Sequence, residues 1–270
     1  MEPALLIVLG LGLVIGVILA LTGAGGGILA VPLLVFGIQM SVAQAGPIGL
    51  LAVGMAAALG AVLGLRAGIV RYRAAMLIAA AGMLLSPLGL WLAHRIDNRW
   101  LGIVFALVLL LVALRSFQQA RRPSGAVSAA NTAPQPCLRD DANGRFIWTS
   151  ACARALRPPR AAAGLLSGLL GVGGGFVMVP ALQRYTDLAM QSVVATSLAV
   201  IALVAVTGVV ASAATGGIAW NVALPFSAGA LAGMLAGRMV SARLAGPHLQ
   251  IGFAAISAAV AVGMIVKSLY

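Results

Sequence analysis

From Pro3 to Phe36 the chain is almost unbroken apolar sequence, yet it contains Thr-Gly-Ala-Gly-Gly-Gly at 22–27 and then Pro32. The pattern returns as Gly-Val-Gly-Gly-Gly at 171–175, followed by Pro180. One straight helix over residues 3–36 would be about 50 Å long at about 1.5 Å per residue, whereas a bilayer core is about 30 Å thick. The segment must therefore break, bend or re-enter. Irregular backbone at membrane depth survives only where protein or water surrounds it, and transporters use such breaks to build ion sites.

Hydrophobic residues make up 62% of the 270, charged residues 8%, and the mean hydropathy is +1.09. A soluble domain carries about a quarter charged residues, so the composition specifies an all-α polytopic membrane protein embedded in a lipid bilayer. The net charge of +12 does not point to nucleic acid. The arginines sit in short loops between apolar runs and cluster between Arg115 and Arg160, which is how cytoplasmic loops look. Cys137 and Cys152 match no zinc or redox spacing and read as free thiols on a cytoplasmic loop. The N-terminus has Glu2 and no Lys or Arg, so it lacks the basic start of a signal peptide, and the first apolar segment is expected to stay in the membrane.

Apolar stretches of spanning length fall near 4–22 with a continuation to 38, then 43–65, 74–93 and 100–117. After the polar stretch come 161–183, 189–213, 222–243 and 249–267. Counting each broken segment once gives about eight transmembrane helices in two four-helix repeats with Gly-rich broken helices. The expected organisation is a first repeat over 1–117, a polar cytoplasmic linker over 118–159 and a second repeat over 160–270. A shift of 148 superposes Gly23, Gly25, Gly26, Gly27 and Pro32 on Gly171, Gly173, Gly174, Gly175 and Pro180. A shift of 147 matches Gln44 to Gln191, Leu51-Ala52-Val53 to Leu198-Ala199-Val200, and Ala81-Gly82 to Ala228-Gly229. Orientation stays open at this level. If each broken element crosses, the 17 cations split 12 to 5 across the membrane; if the second enters and returns, they split 14 to 3. Both satisfy the positive-inside rule.

Consecutive glycines free the backbone to leave helical geometry. A helix restarting before Pro32 or Pro180 tolerates the proline in its first turn. Its start concentrates unpaired N–H donors and a partial positive charge, a natural anion site. The candidate substrate-binding residues are Thr22, Gly23, Gly25, Gly26, Gly27 and Gln44 in the first half. In the second they are Gly171, Gly173, Gly174, Gly175, Gln191, Thr196 and Ser197. Close helix packing is the competing role for the glycines, capping for the glutamines, and self-satisfaction on a preceding carbonyl for the hydroxyls. Arg238 is expected to snorkel to the interface. No Asp or Glu falls inside an expected span, so a proton relay is not indicated. Neither a phosphate-binding lysine nor a metal-ligand set accompanies the glycines; no metal or cofactor is expected, and no catalytic residue.

The two Gly-x-Gly-Gly-Gly…Pro signatures, each followed about a dozen residues later by Gln and a small-residue helix, make the chain resemble the sulfite exporter TauE/SafE family. The second half carries the likeness best, in Gln191-Ser192-Val193-Val194-Ala195-Thr196-Ser197-Leu198 and Gly229-x-x-x-Gly233-x-x-x-Gly237-Arg238. The resemblance implies a multi-pass permease of the bacterial inner membrane for sulfite, a sulfonate or a related organosulfur anion. A channel-like pore and a membrane subunit passing sulfur to a soluble partner are the alternatives. Substrate identity, direction and homo-oligomer formation are left open. The first half departs from the pattern, with Gly49-Leu50 opposite Thr196-Ser197 and Pro47 opposite Val194, while Leu170 faces Thr22. Hydroxyls for any site between the halves come mainly from the second half and from Thr22.

Overall fold

In the computed structural model the chain is an all-α polytopic membrane protein, with no strand among the described residues. The structure describes residues 3–23, 26–120, 164–167, 169–170, 175, 179, 190–214, 216–244 and 247–269. Nearly all of the expected linker lies outside them, with Cys137 and Cys152, and so do Gly25, Gly171, Gly173 and Gly174.

The main helices are α1 (Pro3–Thr22), α2 (Ala30–Gly37), α3 (Val42–Arg66), α4 (Tyr72–Arg95), α5 (Asn98–Ala120), α6 (Met190–Ala214), α7 (Trp220–Leu244) and α8 (Pro247–Leu269). A 3₁₀ turn, Gly26–Leu29, leads into α2. Helices α1, α3, α5, α6 and α7 contain stretches long and apolar enough to cross a membrane; the apolar windows of α4 and α8 are shorter, at Ile78–Ala93 and Ile251–Lys267. Helices α3 and α6 are 61% and 56% buried over their spans against 28% for α1, which puts them at the centre.

Small residues set the helix directions. Gly64, Gly60 and Gly54 of α3 meet Ala195, Leu198 and Ala205 of α6, so these two helices run antiparallel. Gly82 and Ser86 of α4 meet Val204 and Gly208 of α6 in the same order, so those two run parallel. Helix α1 runs parallel to α7: Gly229, Gly233 and Gly237 meet Leu9, Leu13 and Val17 in turn. A methyl group at Gly229 or Gly233 would overlap an α1 carbonyl, and one at Gly12 or Gly16 an α7 carbonyl. This interlocking explains the glycine spacing in α7, since helices in lipid gain by close backbone approach. Gly164 meets Gly82 of α4, placing the short helical stretch around it inside the bundle. Helices α5 and α8 pack principally on each other.

These directions give the bundle two distinct ends. At one end lie Arg66, Arg71 and Arg73 around the α3–α4 turn, Arg115 near the end of α5, and Arg238 and Arg243 near the end of α7. At the other lie Arg95, Arg99 and Lys267. Trp91, Trp100 and Trp220 are all exposed at this second end, and the Arg95 guanidinium lies 4.7 Å from the centre of the Trp91 ring. Tryptophans gather at membrane–water boundaries, so this tryptophan end marks one face of the bilayer. Helix α5 finishes and α6 begins at the arginine end. The described cations are therefore placed as in the arrangement where the second broken element enters and returns.

The first broken element is a hairpin rather than one bent crossing. Gly26 lies on Ile18 and Leu19, and Gly37 on Leu11, so the segment after the break runs back along α1. Every residue of the 3₁₀ turn is buried, as are Ala30, Val31, Pro32, Leu34 and Val35. Its helical part, Gly26–Gly37, is 12 residues, short of the about 20 of a single spanning helix, and residues 38–41 complete the return to the tryptophan end, where α3 begins. With α1 it makes a re-entrant hairpin that opens at the tryptophan end, and this returning, re-entrant segment is enclosed by protein, the condition under which non-helical backbone is tolerated.

Candidate functional site at the first helix break

Helix α1 ends because Gly23 takes φ +79°, a left-handed conformation that glycine adopts without a Cβ penalty. Its N–H donates to the Leu19 carbonyl at 2.8 Å. The Thr22 hydroxyl donates to the Ile18 carbonyl at 2.7 Å and accepts from the Gly26 N–H at 2.9 Å. One side chain thus ties the end of α1 to the start of the return. Both of those bonds are internal, so Thr22 holds the break together. A methyl at Gly26 would overlap the Leu19 nitrogen, which explains glycine at this close approach.

The break packs against the second half of the chain. A methyl on Gly23 would press on the Val194 side chain, in the second turn of α6. Gln191 precedes Val194 by one turn and is exposed; Thr196 and Ser197 follow it and are fully buried. Ser197 lies one turn deeper on the face that Val194 presents to the break, because residues three apart are neighbours on a helix surface. Its Oγ is buried and has no hydrogen-bond partner. Two other hydroxyls of α6 bond back, Ser212 Oγ donating to the Gly208 carbonyl at 2.8 Å and Thr207 Oγ1 to the Val204 carbonyl at 2.8 Å, whereas Ser86, Ser167, Ser227 and Ser257 on other helical stretches share the unpartnered state. A buried hydroxyl without a partner costs about 1–3 kcal/mol, so Ser197 is a position where a polar ligand would be welcome. On another face of α6, Thr196 Oγ1 accepts from the Arg71 backbone N–H at 3.1 Å, and the Arg71 Nε is buried without a partner.

Of the expected residues, then, Thr22, Gly23, Gly26 and Gly27 form the break, and Gln191, Thr196 and Ser197 lie on the helix it touches. Gln44 is elsewhere, exposed in the first turn of α3 at the tryptophan end. Its backbone N–H donates to Ser41 Oγ at 3.3 Å, so Ser41 and Gln44 stand at the spacing of a capping box. Gly175 is buried in a helical position. The break lies toward one end of the bundle rather than at its middle. Trp220 marks the boundary at one end of α7, and Gly237, which meets Ala20, lies 17 residues further on. That is about 25 Å of helix in a core of about 30 Å. The break sits near the membrane boundary at the arginine end.

The sequence reading missed Arg71, taken there as a topology signal, together with the buried hydroxyls of Ser86 and Ser167, which also lack partners. Ser86 and Ser167 each lie about one turn beyond the Gly82–Gly164 contact. Only their polar character amid apolar sequence could have flagged them. Among the described residues no group of His, Cys, Asp or Glu could hold a metal ion.

Residues 8–264 match the family model described as sulfite exporter TauE/SafE. A probable membrane transporter protein of Xylella fastidiosa (strain 9a5c) is 29% identical over 269 residues, covering 98% of this chain and 96% of that protein. The probable membrane transporter protein YunE of Bacillus subtilis is 25% identical over 242 residues, covering 87% of each. No solved structure matches the chain.

Proposed function

The chain belongs to the sulfite exporter TauE/SafE family and is a membrane transporter rather than an enzyme; from that premise we propose that it carries a small oxyanion, sulfite, a sulfonate or a related organosulfur anion. The proposed binding place is where the first Gly-rich break meets α6. The observation that carries this reading is the unpartnered, fully buried Ser197 hydroxyl on the face of α6 that touches Gly23. A hydroxyl donor beside the start of a returning helix suits an anion that needs oriented N–H and O–H donors. Arg71, behind Thr196, adds positive charge at the same end of the bundle. The second Gly-rich run, Gly171, Gly173, Gly174 and Gly175, is proposed as the corresponding anion site of the second repeat on the evidence of the sequence repeat. Its counterparts of Thr196 and Ser197, Gly49 and Leu50, lack hydroxyls, so donors concentrate at the arginine end.

The two repeats, 1–117 and 160–270 joined by the linker 118–159, are proposed to be inverted with respect to each other. The antiparallel α3 and α6, which are repeat equivalents, support this. So does the likeness between the α1–α7 contact and the Gly164–Gly82 contact. Transport would follow by rocking of one repeat against the other, in the bacterial inner membrane with the arginine end cytoplasmic. The test is uptake of radiolabelled sulfite, thiosulfate and short sulfonates into proteoliposomes, with counterflow. Saturable flux with counterflow of at least one of these is expected. Linear flux without counterflow would instead indicate a pore, and no flux of any would remove the substrate class.

A further inference from the structure

The re-entrant segment is tied down at its far end as well as at the break, and the far tie comes from the last helix of the chain. Helix α2 ends at Gly37, leaving its final carbonyls to be satisfied from outside. The Leu34 carbonyl accepts from the Ile38 N–H at 3.0 Å and the Phe36 carbonyl from Gln39 Nε2 at 3.1 Å. The Val35 carbonyl accepts from Lys267 Nζ, on α8, at 2.9 Å. The same ammonium donates to Gln39 Oε1 at 2.8 Å and lies 5.5 Å from the centre of the Phe36 ring, which packs on Gly263. Gln39 has φ +58°, the left-handed region that non-glycine residues seldom occupy. A cation at a helix C-terminus is also favoured by the helix dipole. Lys267 is the only lysine in the chain.

The arrangement of helices gives this tie a mechanical meaning. Helices α5 and α8 pack chiefly on each other, beside the bundle that α1, α3, α4, α6 and α7 form. At the tryptophan end two polar ties join this pair to the end of α2 and to the start of α3. One is the Lys267 clamp, and the other runs from the Val42 N–H to Asn98 Oδ1, at the start of α5, at 2.8 Å. Together they hold residues 35–42, across which the re-entrant segment passes into the central helix α3.

We propose that Lys267 is a positioning residue for transport: its ammonium clamps the tryptophan end of the re-entrant segment to the α5–α8 pair, and release of that clamp accompanies opening at this end. The proposal rests on the transport reading above, and its test separates the two. Full-length wild type, K267M, K267R and Q39N are reconstituted in lipid, and backbone amide exchange is followed over 26–29 and 34–41. The concentration dependence of radiolabelled sulfite flux is measured alongside. K267M is expected to raise exchange over 34–41 by about tenfold or more, leaving 26–29, held by Thr22, unchanged. Its maximal flux should fall by about tenfold with KM altered by less than about threefold, the signature of a lost conformational step. K267R retains the charge and should restore most of both properties. Q39N tolerates the left-handed backbone but withdraws one acceptor, and should give a smaller increase in exchange. Wild-type exchange over 34–41 in both K267M and Q39N would overturn the proposal, as would lost flux in K267M with exchange unaltered. If the wild type moves no sulfite, the substrate assignment falls, while the exchange data still decide whether Lys267 holds the segment.

Discussion

Thr22 stands at the point where the chain reverses, and its hydroxyl is consumed by the Ile18 carbonyl and the Gly26 N–H. Thr22→Val keeps the shape and removes the acceptor, leaving a buried N–H unpaired at a cost of about 1–3 kcal/mol. The expected result is a lower thermal unfolding midpoint and faster amide exchange over 26–29, with Thr22→Ser close to wild type. Gly26→Val should abolish transport, but its side chain would collide with the α1 backbone, so the loss would report on the break and not on a ligand. The sequence exposed Thr22 as a polar residue beside the glycines without revealing its partners, because those are backbone groups four residues away on either side. For Gln44 the sequence offered capping beside substrate binding, and the structure places it three residues after Ser41, at capping-box spacing, at the start of α3.

Between elements, the α1–α7 contact is the most closely interlocked of those described. A side chain at Gly233 would meet the Leu13 carbonyl, and backbone cannot retreat as a flexible side chain can. Gly233→Val is expected to cost about 3 kcal/mol or more and to eliminate most folded protein in detergent chromatography. Gly60→Ala should be far milder, since a methyl there meets the ends of the Met234 and Leu198 side chains. The apolar runs announced these helices in sequence, and the break was visible in the glycines. Whether the chain crossed or turned back after the break was not visible, because both outcomes bury the same residues. The deciding observation is contact, since Gly26 lies on Ile18 and Leu19 and Gly37 on Leu11. The contact of Gly23 with Val194 lay beyond reach for a different reason: it joins residues 171 apart through packing that no local pattern encodes.

For the whole molecule, the helix directions place the start of α1 and the end of α8 together at the tryptophan end. With the arginine end cytoplasmic, a cysteine introduced at Glu2 or Tyr270, in a C137S/C152S background, should react with an impermeant maleimide added to intact cells. Native Cys137 and Cys152 should react only after permeabilisation; the reverse pattern would invert the orientation. The central claim is that the break and α6 together hold an oxyanion, and Ser197→Ala tests it most directly. Removing a buried hydroxyl without a partner should leave the fold as stable as wild type or slightly more so, so stability and binding separate. The measurement is the thermal unfolding midpoint of purified wild type and Ser197→Ala with and without sulfite, thiosulfate and short sulfonates, because a ligand that binds the folded state raises the midpoint. The account predicts an anion-dependent rise in the wild type that is lost or strongly reduced in a variant whose anion-free midpoint is undiminished. An equal rise in both proteins would contradict it.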